Sequence, residues 1–259
     1  MEKTKRLGKF KVYWKGEWDE KVFEKCAAVV GSRRMTQYGQ RVVEKLVPVL
    51  VHEGWTIVSG FMYGVDQAAH KTCIDCGGRT IAVLGWGMDE RLETSDQRLA
   101  DEIIKSGGLL ISEWKNQKGT LWTFPARNKI VAAISGMICV VEAASRSGAL
   151  ITAEMGRQLG KEIWAVPGPI TSSVSVGTNR LIASGQAKMW IPGDVRVTVT
   201  VTGKNNRDIY TLLQNEALTV DDLVRATGKS AEEIGSELTM MMLAGDIVEK
   251  DGKYYVSES

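Results

Sequence analysis

The sequence of 259 residues lacks the features that would direct it into a membrane or an oxidising compartment. It has only four cysteines, too few for a disulfide scaffold in a chain of this length, and no apolar run approaches the roughly 18 residues of a membrane span. The basic segment 1–11 has no apolar stretch after it, so no signal peptide is expected. These absences predict a cytoplasmic protein with no membrane partner.

Motifs for cofactor and metal chemistry are incomplete. There is no Walker-type lysine loop, and the Gly-Trp-Gly of 85–87 lacks the third glycine of a dinucleotide fingerprint. His70 and Cys73 share a face of a predicted helix, but Cys76 is rotated away from them and no second cysteine pair supplies a closed set of four ligands. The prediction is therefore a protein without cofactor or metal.

Charge is distributed unevenly along the chain. Residues 206–259 carry 5 Lys and Arg against 11 Asp and Glu, a net charge of −6, which leaves 28 against 20, a net of +8, for residues 1–205. A basic body with an acidic C-terminal part favours a polyanion as the partner of the body.

Apolar segments alternate with amphipathic ones through most of the chain. The predicted strands are 27–30, 56–59, 80–84, 109–112, 137–141 and 162–166, and the predicted helices begin near 36, 66, 96, 125, 149 and 179. Pro48 is expected to kink or end the first helix, and residues 10–25 to contain a short edge strand. The alternation predicts an α/β fold, with a parallel sheet covered by helices on both faces.

A different pattern follows. Residues 195–202 are predicted to form a half-exposed strand and 203–206 a linker, after which three helices (208–214, 220–227 and 231–243) precede a hairpin that turns at Asp251-Gly252. Three helices and a hairpin predict a winged-helix domain, and the predicted domains are 1–203 and 206–259. The third helix carries Glu232, Glu233 and Glu237 but no Lys or Arg, so we expect it to pack or to contact protein and not to enter a DNA groove.

Polar and basic residues follow the predicted strands. The turn after the first strand contains Ser32, Arg33 and Arg34 beside a helix N-terminus, which is a natural anion site. Residues 122–129 place aromatic side chains next to cations, a combination that suits base stacking with phosphate contact. Arg146 and Arg180 also fall near strand ends. Because carboxyl ends of parallel strands share one edge of a sheet, these groups predict a nucleic-acid site there.

Catalytic residues are harder to find. Asp66, Glu142 and Glu154 are the candidates, but no nucleophile or histidine pairs with them, and Asp66 stands where a helix N-cap is expected. We therefore predict that the protein is not an enzyme.

Seven motifs, in order, resemble the DNA-processing protein A (DprA/Smf) family. They are Val30-Gly31-Ser32-Arg33, Ser59-Gly60 with the segment 64–70, Ile81–Asp89, Phe124-Pro125-Ala126-Arg127-Asn128, the segment 141–153, Val166-Pro167-Gly168 and Gly177-Thr178-Asn179-Arg180-Leu181-Ile182. The resemblance covers about residues 10–192, and the C-terminal part is similar to the family's winged helix. The loop 115–123 departs from the family pattern, with Trp122 as an additional aromatic residue.

The resemblance implies an extended Rossmann-like, doubly wound, mainly parallel sheet that binds single-stranded DNA as a homodimer. Such proteins protect incoming DNA and assist the loading of RecA recombinase in natural transformation. By similarity Arg33 lies in the DNA pocket, Phe124 stacks on a base, and Arg127 and Lys129 contact phosphate. The complete set of expected DNA-binding residues is Ser32, Arg33, Arg34, Phe124, Arg127, Asn128, Lys129, Arg146, Ser147, Gly148, Lys161, Asn179 and Arg180.

One alternative is a nucleotide phosphoribohydrolase of the lysine-decarboxylase-like group, which shares this Rossmann variant. Those enzymes carry Pro-Gly-Gly-x-Gly-Thr-x-x-Glu, whereas residues 147–154 here read Ser-Gly-Ala-Leu-Ile-Thr-Ala-Glu. The glutamate follows the threonine by two positions instead of three, and most of the glycines are missing. This mismatch disfavours the enzyme.

Overall fold

The computed structural model describes residues 4–192, 209–213, 217–244, 246–250 and 252–256. The chain divides into two compact units, Met1–Arg196 and Val197–Ser259. The strand predicted at 195–202 and the linker predicted at 203–206 lie outside the described residues.

The first unit is built on a sheet of nine strands. They are β1 (Thr4–Leu7), β2 (Phe10–Gly16), β3 (Cys26–Val30), β4 (Thr56–Ser59), β5 (Thr80–Val83), β6 (Leu109–Ser112), β7 (Met137–Val140), β8 (Glu162–Ala165) and β9 (Lys188–Met189). Their order is β1-β2-β6-β5-β4-β3-β7-β8-β9. All neighbours pair in parallel except β2, which is antiparallel to both β1 and β6. The prediction of a mainly parallel sheet is confirmed.

Helices cover both faces of this sheet. They are α1 (Gln37–His52), α2 (Val65–Asp75), α3 (Thr94–Lys105), α4 (Thr123–Ile134), α5 (Gly148–Gln158) and α6 (Val176–Ala183). Alternate residues of β3 point to opposite sides: Ala27 and Val29 pack with α1 and α2, and Ala28 and Val30 with α4 and α5. Successive side chains of a strand alternate between faces, so a continuous apolar strand indicates burial on both. The doubly wound arrangement is thus confirmed.

The structure differs from two local expectations. Pro48 does not end α1, which continues to His52; Val47 and Leu50 beside it are fully buried, so packing outweighs the hydrogen bond that proline cannot donate. The strand within residues 10–25 is not at the edge, because β2 pairs on both sides and β1 forms the border.

The described residues of the second unit form three helices and a hairpin. Its elements are α7 (Ile209–Leu213), α8 (Val220–Thr227), α9 (Ala231–Ala244), β10 (Ile247–Lys250) and β11 (Lys253–Val256). The two strands pair antiparallel around the predicted turn. A separate core joins the helices to the hairpin through Ile209, Leu223, Ile234, Leu238 and Ile247. This is the element order expected of a winged helix.

Candidate nucleic-acid interface

A cleft of 460 Å³ opens at the carboxyl ends of the parallel strands. Its walls come from the loop after β3, the loop after β4, the segment that leads into α5, and the first turns of α4. The residues lining it include Ser32, Arg33, Phe124, Arg127, Asn128, Arg146, Ser147 and Gly148. Eight residues selected from the sequence are therefore brought together by the topology, in the position where doubly wound sheets bind ligands.

We define the rim of the cleft by Arg33, Phe124 and Arg146. The two arginines are exposed, and the Phe124 ring is half-buried. The Arg33 guanidinium carbon lies 5.0 Å from the centre of the Phe124 ring, within range of a cation–π contact. Trp86 meets the same ring edge-on, with 6.3 Å between centroids. A Cβ on Gly85 would come within 2.5 Å of Phe124 Cδ1, so only glycine leaves room for the ring in this position.

The loop that carries Arg33 is fixed by a buried carboxylate. Glu142 accepts hydrogen bonds from the backbone N–H of Thr36 at 2.9 Å and from its hydroxyl at 2.5 Å, while Thr36 caps α1 by accepting from the N–H of Gly39. Ser32 Oγ accepts from the N–H of Arg34 at 3.0 Å. Glu142, a catalytic candidate in the sequence, is thus a residue that positions the loop.

The floor is named here for three buried polar side chains: Arg127 and Asp66, which line the cleft, and His70, which does not line it but is affected by the charge of Arg127. Arg127 is only 3% exposed, and its guanidinium donates to the carbonyls of Gly60 and Val83 at the ends of β4 and β5. Burial lowers the pKa of Arg127 to about 10, an effect opposed by the charge of Asp66 and increased by that of Arg33. Arg127 therefore stays protonated at neutral pH while it ties two strands together.

Asp66 is the acidic member of the floor. Burial raises the pKa of its carboxyl, and the positive charge of Arg127 opposes that rise. It accepts from the N–H of Met62 at 3.4 Å. The N-cap of α2 is Gly64 and not Asp66, so the sequence-based assignment was wrong; Gly64 has φ of +79°, and a Cβ there would lie 2.3 Å from the carbonyl oxygen of Ser32.

His70 lies fully buried on α2. The Thr80 hydroxyl donates its one proton to the carbonyl of Ile57 at 2.9 Å. In its contact of 2.7 Å with His70 Nδ1, the hydroxyl oxygen must therefore be the acceptor. We accordingly assign the proton of the imidazole ring to Nδ1. Burial, with a smaller contribution from the charge of Arg127, lowers the pKa of His70 to about 3. The imidazole is therefore neutral across the physiological range.

The N-terminus of α5 supplies backbone donors to the cleft. Ser147 caps this helix by accepting from the N–H of Ala149 at 3.3 Å. Asn128 accepts from Arg127 Nε at 3.1 Å, and its amide group donates to the carbonyl of Gly148 at 3.4 Å. Together with Arg146, the partial positive charge at the N-terminus of this helix favours an anion.

Five of the thirteen residues expected from the sequence do not line the cleft, and four of them lie on elements away from the loop after β3. Lys161 precedes β8 and so lies at the amino edge of the sheet, opposite the cleft, which corrects its assignment. Asn179 is engaged with Gly168, accepting from its N–H at 3.0 Å and donating to its carbonyl at 2.9 Å. Lys129 lies near Glu113. Burial raises the pKa of the Glu113 carboxyl, and the charge of Lys129 opposes that rise. Arg180 is exposed on α6.

Arg34 is also absent from the cleft lining, although it is exposed next to Arg33. Conversely, Met62 and Leu121 line the cleft without having been selected from the sequence. Leu121 could have been suspected, because it is an apolar residue in a polar loop, one position before Trp122. Met62 carried no comparable signal.

Within the described ranges, no group of His, Cys, Asp and Glu side chains is arranged to hold a metal ion. No helix among the same residues is long and apolar enough to cross a membrane.

A doubly wound, mainly parallel sheet with a cleft at its carboxyl edge, followed in the chain by a second, smaller unit, defines a Rossmann-like α/β protein with an appended domain. Residues 8–212 match the family profile of DNA recombination-mediator protein A, and residues 202–253 match that of the DprA winged helix domain. The chain belongs to the DNA recombination-mediator protein A family, and its C-terminal unit is a winged helix.

Known relatives agree with this assignment. Protein Smf of Escherichia coli is 33% identical over 248 residues, which are 88% of this chain and 66% of the relative. The X-ray structure of DNA processing protein A from Streptococcus pneumoniae matches with a TM-score of 0.64 at 37% identity, over 71% of this chain and 64% of that one. The Helicobacter pylori protein, whose structure addresses its single-stranded DNA binding mode, gives a TM-score of 0.62 at 29% identity over 69% and 81%. This chain spans slightly less than two thirds of the E. coli relative.

Proposed function

We propose that the cleft binds single-stranded DNA, and that the protein protects incoming DNA and assists the loading of RecA recombinase in natural transformation and recombination. The observation that carries the proposal is the pairing of Arg33 with Phe124, 5.0 Å apart, at the mouth of an open cleft. A cation beside an aromatic ring offers one contact to a phosphate and one to a base, which is what an unpaired strand presents.

Each part of the rim has a role in this proposal. Arg33 and Arg146 donate to phosphates, and the positive N-terminus of α5 favours a phosphate beside it. A base stacks on Phe124, whose ring is already held by Gly85 and Trp86. Such contacts read no base edge, so binding is expected to depend little on sequence.

Arg127 takes a different role from the one that its motif implied. Its guanidinium is directed at the carbonyls of Gly60 and Val83 and is almost wholly buried. We assign it to positioning: it joins β4 to β5 and supports the floor on which Arg33 and Phe124 rest. Direct contact with phosphate belongs to the exposed arginines.

The hydrolase alternative has little support. Glu154, the counterpart of the catalytic glutamate, lies on the second turn of α5 and does not line the cleft. Its carboxylate is paired with Arg157 at 2.7 Å and accepts from Gln158 at 2.9 Å. A carboxylate engaged in this way is poorly suited to activate a nucleotide.

RecA and a second copy of the chain complete the proposal as partners. Support comes from family membership. We expect the protein to speed the assembly of RecA filaments on single strands that are already coated with a single-strand binding protein. The rate of ATP hydrolysis by RecA measures this assembly.

The central experiment is fluorescence anisotropy of labelled single-stranded and duplex oligonucleotides over a series of salt concentrations. We expect a preference for the single strand and a steep, linear fall of log affinity with log salt. Equal affinity for the duplex would contradict the proposal, as would release of free base from nucleoside monophosphates.

A further inference from the structure

Two apolar side chains are exposed at the mouth of the cleft, in the loop that departs from the family pattern. Leu121 is 94% exposed and lines the cleft, and Trp122, the next residue, is 58% exposed. We call this pair the indole lip. Large apolar groups in water are unfavourable, and when they adjoin a binding cleft they indicate a contact surface.

The indole of Trp122 is held in place although it is exposed. Trp114 meets it edge-on, with 5.7 Å between centroids and 86° between the ring planes. The Trp122 carbonyl accepts from the N–H of Ala126 in the first turn of α4 at 3.2 Å. Both rings are therefore oriented before anything binds.

The backbone on the other side of the pair is also anchored. The backbone carbonyl of Trp114 accepts from the N–H of Met88 at 3.0 Å, and the backbone N–H of Trp114 donates to Ser112 Oγ at 3.1 Å. A ring that is fixed in advance loses little conformational entropy on binding, so its contact with a ligand adds more to affinity.

Charge identifies the occupant. Residues 115–123, which lead into and include the indole lip, contain Lys115 and Lys118 but no Asp or Glu. A planar aromatic face inside a segment with only positive charge suits a polyanion that carries flat, stackable groups.

We propose that Trp122 is a second base-stacking platform, which receives the nucleotide next to the one on Phe124 as the strand leaves the cleft across the indole lip. The proposal rests on the cleft being the DNA site. It extends that site in one direction, past the start of α4, and gives the chain a longer footprint than the cleft alone would have.

The test compares two oligothymidylates, one of about 5 nucleotides that fills the cleft and one of about 12 that also reaches the lip, within the range of footprints that single-strand binding folds show. Trp122→Ala should weaken binding of the longer strand by at least about fivefold, the lower end for one stacked base, and change binding of the shorter strand by less than about twofold. Trp122→Phe should restore most of the loss. Leu159→Ala removes a similarly exposed apolar side chain at the far end of α5 and should affect neither strand.

Fluorescence gives a second readout. If bases stack on Trp122, the longer strand should quench the wild-type emission more than that of Trp122→Phe. The proposal is overturned if Trp122→Ala binds the longer strand as wild type does, as it would if the lip served a protein partner. Failure of the wild type to bind either strand would instead refute the DNA site itself, so the two failures are distinguishable.

Discussion

The rim and the floor of the cleft use the same side chain for different purposes. Arg33 at the rim is exposed, and its guanidinium lies over the face of the Phe124 ring, so its N–H donors remain available to a phosphate. Arg127 in the floor is buried, and its guanidinium donates to the carbonyls of Gly60 and Val83. Both arginines come from motifs that the resemblance associated with DNA.

The difference teaches that burial, and not the motif, decides what an arginine does. An exposed guanidinium can exchange water for phosphate at little cost, whereas a buried one must keep its partners or leave polar groups unsatisfied. Variants of the rim should therefore change binding with little effect on stability, and variants of the floor should change stability first.

The largest effect is expected for Arg127→Ala. The variant leaves the buried carbonyls of Gly60 and Val83 without their donor and removes the positive charge that acts on Asp66. This should cost about 3 kcal/mol of unfolding free energy, because buried polar groups then lack partners. Chemical denaturation followed by tryptophan fluorescence measures this. If Arg127→Ala were as stable as wild type but failed to bind DNA, the division between rim and floor would be wrong.

Arg33→Ala should have the largest effect on binding among the rim variants. Loss of charge-assisted contacts to phosphate is expected to weaken single-strand affinity by about 1.5–3 kcal/mol and to reduce the salt slope by about 0.7. The unfolding free energy should change by less than about 0.5 kcal/mol. Arg157→Ala is the matched control, because it removes an exposed arginine from the far end of α5. A fall in stability as large as the fall in affinity would assign Arg33 to the floor.

The pH dependence of stability tests whether the floor keeps His70 neutral. Its pKa in the folded protein is about 3, below the value of 6.5 for a free imidazole, so the unfolded chain takes up the proton first as pH falls. The stability it contributes is complete above about pH 6.5 and decreases below that value towards pH 3. Between pH 7 and 5.5 the loss should be about 1 kcal/mol.

Denaturation of wild type, His70→Asn and His52→Asn at both pH values isolates this effect. The unfolding free energy of His70→Asn should differ between pH 7 and 5.5 by about 1 kcal/mol less than that of wild type. His52→Asn alters an exposed histidine at the end of α1 and should show the same difference as wild type. An unchanged difference in His70→Asn would mean that the floor does not hold this imidazole neutral.

Sequence reasoning located the cleft because the relevant signals are local. Strands such as Thr56–Ser59 and Leu109–Ser112 have the predicted bounds, and parallel strands must place their following residues along one edge. The residues after β3 and β7 therefore had to meet. Lys161 could have been rejected by the same argument, since it precedes its strand.

What the sequence could not supply was contact between distant residues. The burial of Arg127 depends on Gly60, where a Cβ would lie 2.4 Å from the guanidinium, and no local pattern links the two positions. Pro48 is tolerated in α1 because of tertiary packing, and the short, partly polar β1 and β9 carry too few apolar residues to be recognised. In each case the deciding interaction lies outside the segment that was read.

The acidic winged helix extends the comparison to a region outside the cleft and should give the smallest effect. Part of its charge is used locally: Glu237 pairs with Lys229 at 2.6 Å, and Glu233 accepts from the N–H of Ser230 at the start of α9. Only a diffuse repulsion of DNA remains, and salt screens such fields beyond about 10 Å at 0.1 M. Deleting residues 206–259 should therefore raise single-strand affinity by about twofold at low salt and leave it unchanged at high salt. Anisotropy at two salt concentrations decides the matter, and a loss of affinity on deletion would show that the winged helix, despite its acidic third helix, contributes to the DNA site.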